Sequence, residues 1–153
     1  MPKIDLDRVP VKTGSIYPAP FKAMADARAR QALGDAGGLT QFGVNLTRLP
    51  PGAASAQRHW HEAEDELVFV VSGELALVEE GGETLLRAGE AAAFKAGHAD
   101  GHHLVNRSAE DAVVLEIGTR AGEERGHYPD IDLVYEKRDG GIRFTNRAGE
   151  PYD

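Results

Sequence analysis

From Leu39 onward, apolar residues recur at a spacing close to two. Phe42, Val44, Leu46 and Leu49 are separated by polar or small residues up to the turn Pro50-Pro51-Gly52. Side chains alternate faces along an extended chain, so this period predicts strands that bury one side. Leu67-Val68-Phe69-Val70-Val71 is apolar throughout and predicts a strand buried on both sides, ended at Gly73 by a turn into Leu75-Ala76-Leu77-Val78. Gly81 and Gly82 suit a tight hairpin into Thr84-Leu85-Leu86. Beyond Gly89 come Ala91-Ala92-Ala93-Phe94, an extended loop from Gly97 to Gly101, His103-Leu104-Val105, and Val113-Val114-Leu115-Glu116-Ile117. Many short strands at regular spacing predict an all-β barrel or jelly roll.

The flanks read differently. Residues 1–38 carry Pro2, Pro10, Pro18 and Pro20 with little apolar periodicity, which predicts an arm that packs on another surface or stays mobile. Within it, the alanine-rich stretch Phe21 to Leu33 predicts a short helix stopped at Gly34. Residues 39–120 are the β-barrel. Residues 121–153 form an extension with a further strand pair, Leu133-Val134-Tyr135 and Ile142-Arg143-Phe144, joined at Asp139-Gly140-Gly141.

Composition narrows the chemistry. Length (153 residues), hydrophobic content (41%) and charged content (27%) are those of one globular domain. With no cysteine, disulfides, Fe–S clusters, thiolate zinc sites and a cysteine nucleophile are excluded. The first residues lack the apolar core of a signal peptide, and no apolar run reaches the ~20 residues of a membrane helix, so a cytoplasmic protein without a membrane partner is expected. A net charge of -8 without a basic stripe argues against a nucleic-acid partner.

The candidate chemistry lies in the histidines. His59 and His61 point to one face of a strand while Trp60 points away, and Glu66 joins that face if Glu62-Ala63-Glu64-Asp65 turns the chain. Gly52, His59, His61, Glu66 and Gly73 are followed by Gly89, Gly97, His102 and Asn106. This series resembles the two motifs of the cupin family, Gly-x5-His-x-His-x3/4-Glu-x6-Gly and Gly-x5-Pro-x-Gly-x2-His-x3-Asn. The interval from Gly52 to His59 is one residue longer than the common form. Lys95 stands at the proline position, and the step from Gly97 to His102 is longer by two.

The resemblance implies a double-stranded β-helix holding one metal ion through His59, His61, Glu66 and His102. Three imidazoles and a carboxylate suit a divalent Mn, Fe, Co, Ni or Zn with open positions for substrate. It also implies a small-molecule substrate or ligand and a homodimer. Sugar or sugar-phosphate isomerase-like chemistry is one expectation, with Glu66 or His98 moving a proton. Iron-dependent dioxygenase chemistry and non-catalytic ligand binding fit the same ligands. Trp60, Phe69 and His103 are expected on the outer face, Asn106 as a loop-fixing residue, and His127 as structural. The acidic turn is read as solvated, and so is Lys95. An anionic substrate would need a counter-charge, and Arg48, Arg58, Arg87, Lys95 and Arg107 are the basic residues in or near the β-domain.

Overall fold

Strands dominate the computed structural model, which describes residues 2–153. In chain order they are β1 (Val11–Thr13), β2 (Ala29–Ala32), β3 (Phe42–Leu49), β4 (Trp60–His61), β5 (Glu66–Ser72), β6 (Glu74–Glu79), β7 (Gly82–Arg87) and β8 (Ala91–Phe94). They continue as β9 (His103–Val105), β10 (Ala112–Thr119), β11 (Glu124–Tyr128), β12 (Leu133–Arg138) and β13 (Gly141–Thr145). One wall is the sheet β1-β2-β3-β10-β5-β8. The other contains β7-β6-β9 and β13-β12-β11-β4, linked through antiparallel bridges Ala54↔Val105 and His59↔His102.

Between the walls lies an aliphatic core of Leu49, Val68, Val70, Leu75, Leu77, Leu86, Leu104 and Val114. Period two places these side chains inside. It leaves Leu67, Phe69 and Val71 outside, 39%, 39% and 48% exposed. The strand expected to be buried on both sides is therefore covered on one. An apolar run records β-propensity without stating how many faces another layer covers.

The predicted helix from Phe21 to Leu33 does not form. Its residues divide into two 3-10 turns, Ala19–Phe21 and Ala23–Ala25, then β2, with Leu33–Ala36 opening a single helical turn, α1. Alanine favours helix by only tenths of a kcal/mol per residue. Here the ladder of β2 on β3, with Ala29↔Arg48 and Gln31↔Leu46 in register, overrides it. The arm is thus built into the barrel wall, where β1 caps β2.

The extension adds three strands rather than two, because β11 pairs with β4 as well as with β12. A second core, Tyr17, Ala25, Ala56, Tyr128 and Leu133, with Phe21, Tyr135, Phe144 and Tyr152 packed on it, joins arm and extension. Positive φ at Asp139 and Gly140 gives the primed hairpin turn between β12 and β13.

Candidate metal centre

Three imidazoles and one carboxylate meet inside the barrel. The β4 strand and the bridge at His59 fix the first two rings, and the return at His102 brings the third opposite them, with reciprocal His59–His102 backbone hydrogen bonds of 2.9 and 3.1 Å. Glu66 begins β5, on the inner face opposite Gly118 and Phe94. The acidic segment between His61 and Glu66 does turn the chain as the motif requires.

The Nε2 atoms of His102, His61 and His59 stand 2.8, 3.4 and 3.7 Å from Glu66 carboxylate oxygens. Glu66 Oε2 is nevertheless buried without a hydrogen bond among the described residues. The three imidazoles therefore gather around the Glu66 carboxylate, an arrangement suited to ligands of a shared cation. Of the four, His59, His61 and Glu66 form a compact ligand set, with ligand atoms within 4.8 Å of one another, and His102 reaches it through Glu66. The residues present fit a divalent transition metal, and the imidazole–carboxylate donors do not select among Mn, Fe, Co, Ni and Zn.

The crowding of these groups shifts their protonation. Burial raises the Glu66 carboxyl pKa, but the nearby imidazoles of His102, His59 and His61 outweigh burial and hold it well below the usual carboxylate range. Burial lowers the His61 pKa, yet the carboxylates of Glu66, Glu124 and Glu64 leave it raised overall. For His102, burial and the neighbouring imidazoles prevail over Glu66 and the pKa is lowered.

Supporting contacts differ ring by ring. His59 Nδ1 lies 2.7 Å from the Gln57 carbonyl oxygen. His102 stacks flat on Phe94, with ring centroids 3.5 Å apart. Asn106 is fully buried and donates to the Leu49 and Glu110 carbonyls at 2.7 Å, fixing the loop between β9 and β10.

A cavity of about 570 Å³ adjoins Glu66 and His102. Its Lys and Arg lining residues are Arg30, Arg120 and Lys137, none of which the sequence singled out. Arg30 Nη2 is 3.2 Å from Glu116 Oε1, and Lys137 Nζ is 2.5 Å from Glu64 Oε1. Arg120 also pairs with Asp35. Alternation placed Glu116 inside β10, and its apolar neighbours concealed it; Arg30 was hidden by the expected helix.

Several expected placements change. His98 is exposed in the Lys95–His98 turn and does not line the cavity. His103, expected outside, is buried, with Nδ1 2.8 Å from the Ala56 carbonyl oxygen. The short β9 strand is covered by the segment before β4, so parity alone misassigned it. Glu64, read as solvated, is only 14% exposed, because the extension brings Lys137 over it. Of the candidate cations, Arg58 binds Asp130 and Glu80, Arg48 faces Asp111, and Arg107 pairs with Glu83. Arg87 and Lys95 do not line this cavity. Trp60 stacks on His127 at 4.4 Å, and His127 Nε2 lies 2.7 Å from Glu62.

Comparison with known proteins agrees with this architecture. The Cupin domain family model matches residues 45–118. A structure described as a sugar phosphate isomerase from a cupin superfamily, from Silicibacter pomeroyi DSS-3, is 45% identical over 99% of this chain and 97% of its own, with TM-score 0.95. The chain belongs to the cupin superfamily. A putative sugar phosphate isomerase from Acidithiobacillus ferrooxidans is 31% identical, covering 80% of this cupin and 78% of its own chain, with TM-score 0.74. A predicted oxalate decarboxylase from Thermotoga maritima, 18% identical over 78% of this chain and 99% of its own with TM-score 0.62, shares the fold. No curated protein matches the chain. Among the described residues, no helix is long and apolar enough to cross a membrane.

Proposed function

We propose that this cupin is a metal-dependent isomerase of a small sugar or sugar phosphate. The observation that carries the reading is the convergence of His59, His61, Glu66 and His102 beside a cavity with cationic side chains in its wall. The structures 45% and 31% identical to it, described as a sugar phosphate isomerase and a putative one, support the substrate class. A divalent cation held there would act as a Lewis acid toward vicinal substrate oxygens.

The chain's own residues would divide the remaining work. Glu66, held well below the usual carboxylate range, is a ligand rather than a base. Glu116 lies deeper on the same inner face, with Thr47 and Arg30 bound to it, and is the carboxylate we assign to proton transfer between adjacent carbons. Arg30 and Lys137 each retain donors beyond their paired carboxylates, and these suit a phosphate or carboxylate.

Metal-replete protein should interconvert an aldose phosphate and its ketose isomer, read by proton NMR. Absence of turnover across a panel of three- to six-carbon sugar phosphates would reject the reading. Oxygen consumption by the iron form with a small organic substrate would replace it with a dioxygenase. We also propose a homodimer through the outer face of β3, β10 and β5, where Phe42, Leu67, Phe69 and Val71 are exposed. A one-chain mass in solution would contradict it.

A further inference from the structure

Glu124 opens β11, outside the segment that the family model matches. Its side chain is completely buried. Burying a carboxylate is costly unless hydrogen bonds replace water. Glu124 accepts two from backbone, the Glu62 N–H at 2.8 Å and the Ala63 N–H at 3.0 Å. Among the described residues no lysine or arginine forms an ion pair with it.

Its Oε1 stands 3.6 Å from His61 Nδ1, the ring nitrogen turned away from Glu66. That nitrogen is buried and without a hydrogen bond among the described residues. The Gly126↔His61 register of β11 on β4 places Glu124 there. At 3.6 Å the contact is longer than a hydrogen bond, and rotation about the soft Cβ–Cγ torsion of His61 changes the distance without moving the backbone.

We propose that Glu124 is a positioning residue for His61, accepting its Nδ1–H and so fixing the tautomer whose Nε2 lone pair faces the metal centre. The inference rests on the metal-site reading above. It gives the extension a defined task, since His59 receives the equivalent support from the Gln57 carbonyl within the barrel segment.

The test compares wild type and Glu124→Gln. Co²⁺ affinity is measured by competition with a chromophoric chelator, and the tautomer of His61 by long-range ¹H–¹⁵N NMR on metal-free protein at a pH where the ring is neutral, with His61→Ala assigning the signal. Expected are a Co²⁺ affinity about 10–100-fold weaker in the variant and, in wild type, a proton on Nδ1 that is partly or wholly displaced to Nε2 in the variant. A role confined to holding the Glu62–Ala63 turn would lower stability and leave the tautomer unchanged. Equal Co²⁺ affinities, or a wild-type His61 protonated on Nε2, would overturn the inference while leaving the metal site standing. Wild type that binds no Co²⁺ would remove the metal reading itself, and the inference with it. Should Glu124→Gln fail to fold, the wild-type tautomer decides.

Discussion

Residues 45–118 and the segments flanking them contribute different things to one cavity. The central segment supplies His59, His61, Glu66 and His102, the four candidate ligands, and an aliphatic core. The flanks supply Arg30, Arg120 and Lys137 in the cavity wall, the carboxylate behind His61, and much of an aromatic second core. Ligand geometry needs the rigidity of paired strands, and the barrel provides it. The cationic side chains of the cavity wall lie on the flanking segments, and one of these segments also packs against His61 through β11 on β4. On the proposed reading, the barrel would hold the metal and the flanks would support one ligand and face the substrate.

The largest effect should come from the ligands. Glu66→Gln or His61→Ala should reduce Co²⁺ affinity by more than the roughly 10–100-fold typical of a supporting residue, measured by chelator competition. Retention of full affinity in either variant would dissolve the distinction between ligand and support.

The two cores offer the next comparison. Leu75 and Leu133 are both fully buried, one among aliphatic side chains and the other beneath aromatic ones. Leu75→Ala and Leu133→Ala should each cost about 2–5 kcal/mol in denaturant unfolding. A single transition in both variants would show that flanks and barrel unfold together; a separate early transition confined to Leu133→Ala would divide them.

Gly73, between β5 and β6, has φ +75°, and a Cβ there would lie 2.8 Å from the Asp111 carbonyl oxygen. Gly73→Ala should therefore destabilise the barrel by roughly 1–3 kcal/mol, seen as a lower midpoint. Gly81→Ala, where a Cβ meets nothing within 4 Å, is the control in the neighbouring hairpin.

A smaller effect follows from Glu66 in the metal-free protein. Its folded pKa lies below its unfolded value, so the folded state binds fewer protons as acid is added, and the contribution is complete only above about pH 4.5. Stability should then fall as pH drops below that range toward the folded pKa. Glu66→Gln should flatten this limb of the stability profile, measured by urea unfolding between about pH 3 and 6. An unchanged limb would assign the acid sensitivity to other carboxylates.

Sequence by itself determined the barrel because a period of two is short-range, and it marked His59, His61, Glu66 and His102 as candidate ligands through the cupin-like motifs. A period of two sorts side chains to two faces, and His59 with His61 shares one face wherever that strand is laid. Asn106 was legible in part, since its amide ties the loop to Glu110 nearby in sequence, whereas its second tie, to Leu49, is long-range. Phe21 to Leu33 was misread because weak helix propensity lost to a ladder with β3, a partner the local sequence does not contain. Arg30, Glu64, Glu124 and Lys137 belong to the same class of long-range facts. Polar residues in a strand or turn look solvated until another segment covers them. Here the strand β11 lying on β4 determines which carboxylate stands behind His61. Such pairings are chosen by the burial and hydrogen bonding of the whole chain, and only the tertiary structure decided them.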